Sequence, residues 1–82
     1  MPTFHYVYIL VSKTRPTETY IGYTTHLRRR LAEHNAGESR FISQHGPWRL
    51  RAAIALASRE RALDLERFLK TQAGRALISK RF

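Results

Sequence analysis

Residues 4–11 (FHYVYILV) are aromatic, β-branched or aliphatic at both parities, apart from His5, and contain no Gly or Pro. A run that is polar on neither parity predicts a strand covered on both faces. Residues 12–19 (SKTRPTET) form a polar loop with Pro16 inside it. Residues 20–23 (YIGY) predict a second short strand, joined to the first as a hairpin with a long connection. Gly22 within it marks a bulge or a point where something approaches the backbone closely.

The period then changes. Thr24 and Thr25 are N-cap candidates for a helix running to about Asn35 and stopped by Gly37. Leu27 and Leu31 make its apolar stripe, and His34 falls between them on the wheel. At about 100° per residue, Arg30 sits on the shoulder of that stripe, one turn before His34. Arg29 points nearly opposite and Arg28 lies to the other flank. Residues 37–47 are a loop rich in Ser, Gly and His. In residues 48–56 the apolar positions alternate, which predicts a strand with Trp48, Leu50, Ala52, Ile54 and Leu56 on one face. Ser58 caps a second helix that has Glu60 in its first turn and runs to about Gln72, before Gly74. Ala62, Leu65 and Leu69 form its inward stripe, with Glu66 at the edge of that stripe. Residues 75–82 predict a short terminal helix anchored by Leu77 and Ile78. The order β-β-α-β-α-α predicts an α+β fold, a small, mostly antiparallel three-stranded sheet with helices packed on it.

Composition narrows the partners. The 82 residues are one small domain, 1–82, with 43% hydrophobic residues, enough for a core. The formal net charge is +9, distributed as +3 over residues 1–41 and +6 over residues 42–82. Such an excess on a short chain favours a polyanionic partner, nucleic acid or an anionic membrane. Twelve of the fifteen basic residues are Arg, whose planar fork suits phosphate. A membrane partner is disfavoured, since neither longer helix has an extended apolar face rimmed by Lys and no apolar run nears the about 20 residues of a span. The N-terminus has no basic segment leading into an apolar one, so the expected location is cytoplasmic. The absence of Cys excludes disulfides, Cys-ligated zinc and thiol catalysis.

Several polar residues sit where core packing alone would not put them. Tyr8 and Tyr20 lie on adjacent predicted strands, and Arg30 and Glu66 lie at the inner edges of helices that must pack on the sheet. An isolated buried charge costs several kcal/mol unless it is paired or solvated in a cleft. Each has a plain structural alternative: core tyrosines with satisfied hydroxyls, a buried Arg30–Glu66 ion pair, and His34 as a hydrogen-bonded core histidine. His5, His26 and His45 show no metal-ligand spacing and are expected to be structural or solvated. Arg28, Arg49 and Arg51 are candidate contacts to a phosphate backbone.

The joint pattern shifts the balance. Tyr6-Val7-Tyr8, followed after eleven residues by Tyr20-Ile21-Gly22, resembles the paired tripeptides that name the GIY-YIG nuclease superfamily. The continuation from Tyr23 through Gly37 is similar to that superfamily's first-helix motif, in which a catalytic Arg precedes a His by one turn. The helix around Ala62–Lys70 resembles the segment bearing its metal-binding Glu. The resemblance covers nearly the whole chain and is to the small stand-alone endonuclease branch. One departure is that Tyr6 stands in place of the first Gly of the name motif. The resemblance implies a metal-dependent endonuclease hydrolysing nucleic-acid phosphodiester bonds, DNA ahead of RNA. Arg30 would hold the scissile phosphate, Glu66 would hold a divalent Mg²⁺ or Mn²⁺, and either Tyr8 or Tyr20 would take the proton from the attacking water. A free Tyr has a pKa of about 10, so that role needs a nearby cation. His34 would orient or activate the tyrosine. The alternative is a nucleic-acid-binding module that keeps the scaffold without turnover. A carboxylate beside a phosphate cleft favours the nuclease, since a pure binder has no use for it.

Overall fold

A computed structural model describes residues 3–36 and 45–82. The elements are β1 (His5–Ser12), β2 (Thr19–Thr24), α1 (Leu27–Asn35), β3 (Trp48–Leu56), α2 (Arg59–Leu69) and α3 (Gln72–Arg81). The sheet order is β2-β1-β3, with β1 antiparallel to both neighbours. The fold is α+β with the expected β-β-α-β-α-α order.

The largely apolar β1 is the central strand, and residues Val7 through Ser12 are all buried, Ser12 included although it reads as loop in the sequence. Its alternating side chains supply two cores. Val7 and Ile9 pack with Ile21 against Ala62, Leu69 and Ile78 of α2 and α3. Tyr8 and Leu10 face the other way, with Trp48, Tyr20, Leu27 and Leu31. Helices thus cover both faces, which is why neither parity of this strand is polar.

The single apolar face expected for Trp48, Leu50, Ala52, Ile54 and Leu56 is broken by a register shift. Leu10 pairs with Leu50 but Ile9 pairs with Ala52, leaving Arg51 as an extra residue in β3. One extra residue inverts which side chains face which way. Trp48 therefore joins the α1 side, whereas Ala52 and Leu56 pack on the α2 side. Leu50 remains 37% exposed.

The helix ends also differ in part. Helix α1 starts at Leu27 behind His26, which makes no side-chain cap bond. The Thr24 hydroxyl accepts from the His26 N–H at 3.0 Å, closing the turn ahead of the helix instead of capping it. Gly37, the expected stop, lies outside the described residues. Ser58 caps α2 as expected, accepting from the Arg61 N–H at 3.2 Å. That helix ends at Leu69, earlier than Gln72, because Thr71 starts α3 by accepting from the Gly74 N–H at 3.1 Å. Gly74 is buried in that first turn, and a methyl group there would strike the Phe68 carbonyl and the Leu69 backbone. The glycine thus lets two helices meet; it does not end one. Ile78 anchors α3 at 3% exposure, whereas Leu77 is 36% exposed.

Candidate active site

Tyr8 is the centre of the polar cluster. It sits on β1 directly opposite Gly22 of the edge strand β2, and its ring lies across that glycine. A methyl group at Gly22 would fall on the Tyr8 hydroxyl and its ring edge. The glycine is needed for space, and the close approach expected there is made by Tyr8 itself. Gly22→Ala should therefore push Tyr8 out of place, with a cost of about 1–3 kcal/mol typical of overpacking. Urea unfolding measures that cost, and an unchanged midpoint would mean that the Tyr8 ring is elsewhere.

The Tyr8 hydroxyl is 2.8 Å from Nε2 of His34 on α1, and both residues are buried. Burial pushes the Tyr8 pKa up from its ordinary value. A hydrogen bond from Arg30 pulls it back, Tyr20 pushes it up, the Arg30 charge lowers it, and the Glu66 charge raises it. The phenol therefore holds its proton at neutral pH. Groups on β2, α1 and α2 thus act electrostatically on one hydroxyl of β1. Tyr20 packs edge-on against His34, with ring centroids 4.7 Å apart, and stands 6.2 Å from the Tyr8 ring. It also meets Trp48 edge-on at 6.4 Å.

The structural alternative, a buried Arg30–Glu66 ion pair, is not how these charges are satisfied. Arg30 pairs at 3.1 Å with Glu33, one turn along α1, where both side chains are about one-third exposed. Glu66 pairs at 3.3 Å with Lys70 along α2, with side-chain exposures of 18% and 51%. The Glu66 carboxylate is shielded yet wet, and its partner is a flexible surface ammonium.

Among the described residues, no group of three or more His, Asp or Glu could hold a metal ion. Glu66 is the carboxylate whose charge reaches Tyr8. Mg²⁺ keeps several waters and is commonly bound through one or two carboxylates. A single, partly solvated Glu66 fits a hydrated hard cation, and it does not fit a site that encloses its metal in protein ligands.

The remaining candidates are spread out. Arg28 is exposed at the start of α1 and Arg49 is exposed on β3. Arg51 donates to the Phe82 carbonyl at 2.9 Å and the Ile78 carbonyl at 3.4 Å, so it ties α3 to β3. His5 bonds through Nδ1 to the Tyr23 hydroxyl at 2.7 Å and stacks on its ring, the structural role expected of it.

Sequence reasoning missed Asn35. Its side-chain amide donates to the Trp48 carbonyl at 3.1 Å and accepts from the Trp48 N–H at 2.8 Å. This pair of bonds pins the C-terminal end of α1, and with it His34, to the start of β3. The only signal was an Asn at the helix end, which equally suits a C-cap.

Relatives carry the same framework. The family model of the GIY-YIG catalytic domain matches residues 4–80. A UPF0213 protein of Streptococcus pneumoniae is 42% identical over 67 residues, which is 80% of this chain and 68% of the relative. The structure-specific endonuclease subunit slx1 of Aspergillus oryzae is 35% identical over 78 residues, 89% of this chain but only 19% of that protein. The solution NMR structure of a UPF0213 protein from Bacillus halodurans aligns with a TM-score of 0.58 at 35% identity, over 95% of this chain and 85% of that one. Since the match runs through every strand and helix on which the polar cluster is built, and not through the name tripeptides alone, the chain belongs to the GIY-YIG catalytic-domain family.

Proposed function

We propose that this protein is a metal-dependent endonuclease that hydrolyses phosphodiester bonds in nucleic acid, DNA ahead of RNA. The observation that carries the proposal is the Tyr8 hydroxyl held 2.8 Å from Nε2 of His34, with the Tyr20 ring packed on His34 and the charges of Arg30 and Glu66 acting on that hydroxyl. Hydrolysis of a phosphodiester needs an activated water and stabilisation of charge on the phosphoryl oxygens. Arg30 serves the second need. Its pair with Glu33 is partly exposed and worth about 0–1 kcal/mol, so the guanidinium is easily drawn to a phosphate. Tyr8 serves the first need: it takes the proton of the attacking water while its own proton passes to Nε2 of His34. The new phosphorus–oxygen bond forms as the bond to the leaving sugar oxygen breaks, and solvent protonates that oxygen. Tyr20 acts as a positioning residue, holding the His34 ring edge-on. Glu66 would hold Mg²⁺ or Mn²⁺, which when bound supplies positive charge that offsets the effect of burial on Tyr8.

Arg28 and Arg49 are exposed and suit backbone phosphates, and Arg51 contributes charge from its place against α3. With a net charge of +9, affinity should be independent of sequence and fall steeply with salt, as phosphate contacts release counterions. Raising salt from about 50 to 200 mM should weaken binding on the order of tenfold or more. Fluorescence anisotropy measures this, and affinity that stays flat would remove the electrostatic basis of the proposal. No helix among the described residues is long and apolar enough to cross a membrane, and a cytoplasmic location goes with the proposal. Incubation with single- and double-stranded DNA and RNA, in Mg²⁺, Mn²⁺ or EDTA, separates the nuclease from a binding module on the same scaffold.

A further inference from the structure

We infer that a shallow cavity formed by Tyr6 and the start of α1 takes an unpaired nucleobase, so that the protein acts on single-stranded or locally unpaired nucleic acid. The inference rests on the proposal that nucleic acid is the substrate. The cavity holds about 410 Å³ and is lined by Tyr6, Thr25, His26, Leu27, Arg28 and Arg29. That volume is ample for one base.

Three features of the cavity point to a base. Its lining brings together the aromatic Tyr6, which is partly exposed, with His26, Leu27 and the exposed Arg28 and Arg29. An aromatic platform flanked by guanidinium groups is what a splayed-out nucleotide needs, with the base stacked on the ring and its phosphates held by Arg. No acidic side chain lines the cavity among the described residues, so nothing there repels a phosphate.

The cavity's position points the same way. Tyr6 and Tyr8 are two residues apart on β1, so they share a face and lie about 6.6 Å apart along the strand. The cross-strand partners of these tyrosines are Ala55 and Ala53, both exposed. Leu27 and Leu31 of α1 pack in the cluster of Tyr8, Leu10 and Trp48 and leave these alanines exposed. A floor of small side chains therefore runs beside the two tyrosines, where a strand can lie with one base in the cavity and the neighbouring phosphate near Tyr8. A base in a duplex is already stacked and paired, so its ring face is unavailable to Tyr6.

The test is a binding titration in EDTA, where cleavage does not interfere. A short single strand carrying one 2-aminopurine and the same sequence fully paired are each titrated with wild type, Tyr6→Leu and Tyr6→Trp. Wild type should prefer the single strand on the order of tenfold and quench the probe, as expected for one stacked base. Tyr6→Leu should lose the preference and the quenching while duplex affinity stays within about twofold, and Tyr6→Trp should keep both. Equal wild-type affinity for the two forms, which needs no variant to fold, would overturn the inference. So would a Tyr6→Leu protein that keeps both preference and quenching. An intact preference with no cleavage in Mg²⁺ or Mn²⁺ would instead count against the nuclease proposal and leave the base site standing.

Discussion

Arg30→Ala should lower the cleavage rate on the order of 10²–10³-fold, the loss typical of removing one donor aimed at developing charge. The fold should survive. The Arg30–Glu33 pair is exposed enough to contribute only about 0–1 kcal/mol, and Tyr8, though it loses the bond from Arg30, keeps its bond to His34. The variant would lose two effects at once, the proposed contact to the phosphate and the lowering by Arg30 of the pKa that burial raises on Tyr8. Arg29→Ala is the matched control. Its side chain is 70% exposed and stands 4.0 Å from Glu33, so with enzyme saturating over substrate its removal weakens nucleic-acid binding but takes little from the chemical step. Single-turnover cleavage of a labelled oligonucleotide by the two variants reads the difference. Equal losses would mean that the phosphate lies on the outer face of α1.

Glu66→Gln should abolish cleavage while leaving stability and substrate binding in place. Had Glu66 been buried against Arg30, breaking the pair would cost about 3–5 kcal/mol. It pairs instead with Lys70, whose side chain is 51% exposed, and an exposed pair of this kind contributes about 0–1 kcal/mol. The amide keeps the shape but loses the negative charge that a hard cation requires. Binding measured in EDTA should be unchanged or slightly tighter, because one acidic group has left a basic surface. Thermal unfolding, binding in EDTA and cleavage in Mg²⁺ are measured on the same preparation. A variant that melts far below wild type would give Glu66 a structural role instead.

How much of this was legible in the sequence depended on whether a signal was local. The central strand was clear because residues 4–11 show no polar parity, which two-sided cover explains, whereas Ser12, read as the start of the loop, is a buried end of that strand. Ser58 announced α2 through ordinary capping chemistry. The faces of β3 were not legible, since the slip between Leu50 and Ala52 is set by pairing with Ile9 and Leu10 far along the chain. Gly74 looked like a stop because Gly commonly follows a helix, and only the packing of α3 on α2 shows why a methyl is excluded. At the site, Tyr8, Tyr20, Arg30, His34 and Glu66 were identifiable as inward-edge polar groups, but their partners were not. Helical neighbours Glu33 and Lys70, one turn away, offer Arg30 and Glu66 cheaper pairs than they could give each other across the sheet. The role of Asn35 depends on the Trp48 backbone, which no spacing in the chain reveals.

The most direct test is cleavage of labelled single- and double-stranded DNA by wild type and Glu66→Gln, each in Mg²⁺, Mn²⁺ and EDTA, with binding followed in parallel. Wild type should yield products with either metal and none in EDTA, and Glu66→Gln should bind without cutting under every condition. Strands that stay intact with wild type in both metals while binding persists, or cutting that is indifferent to EDTA and to Glu66→Gln, would contradict the account.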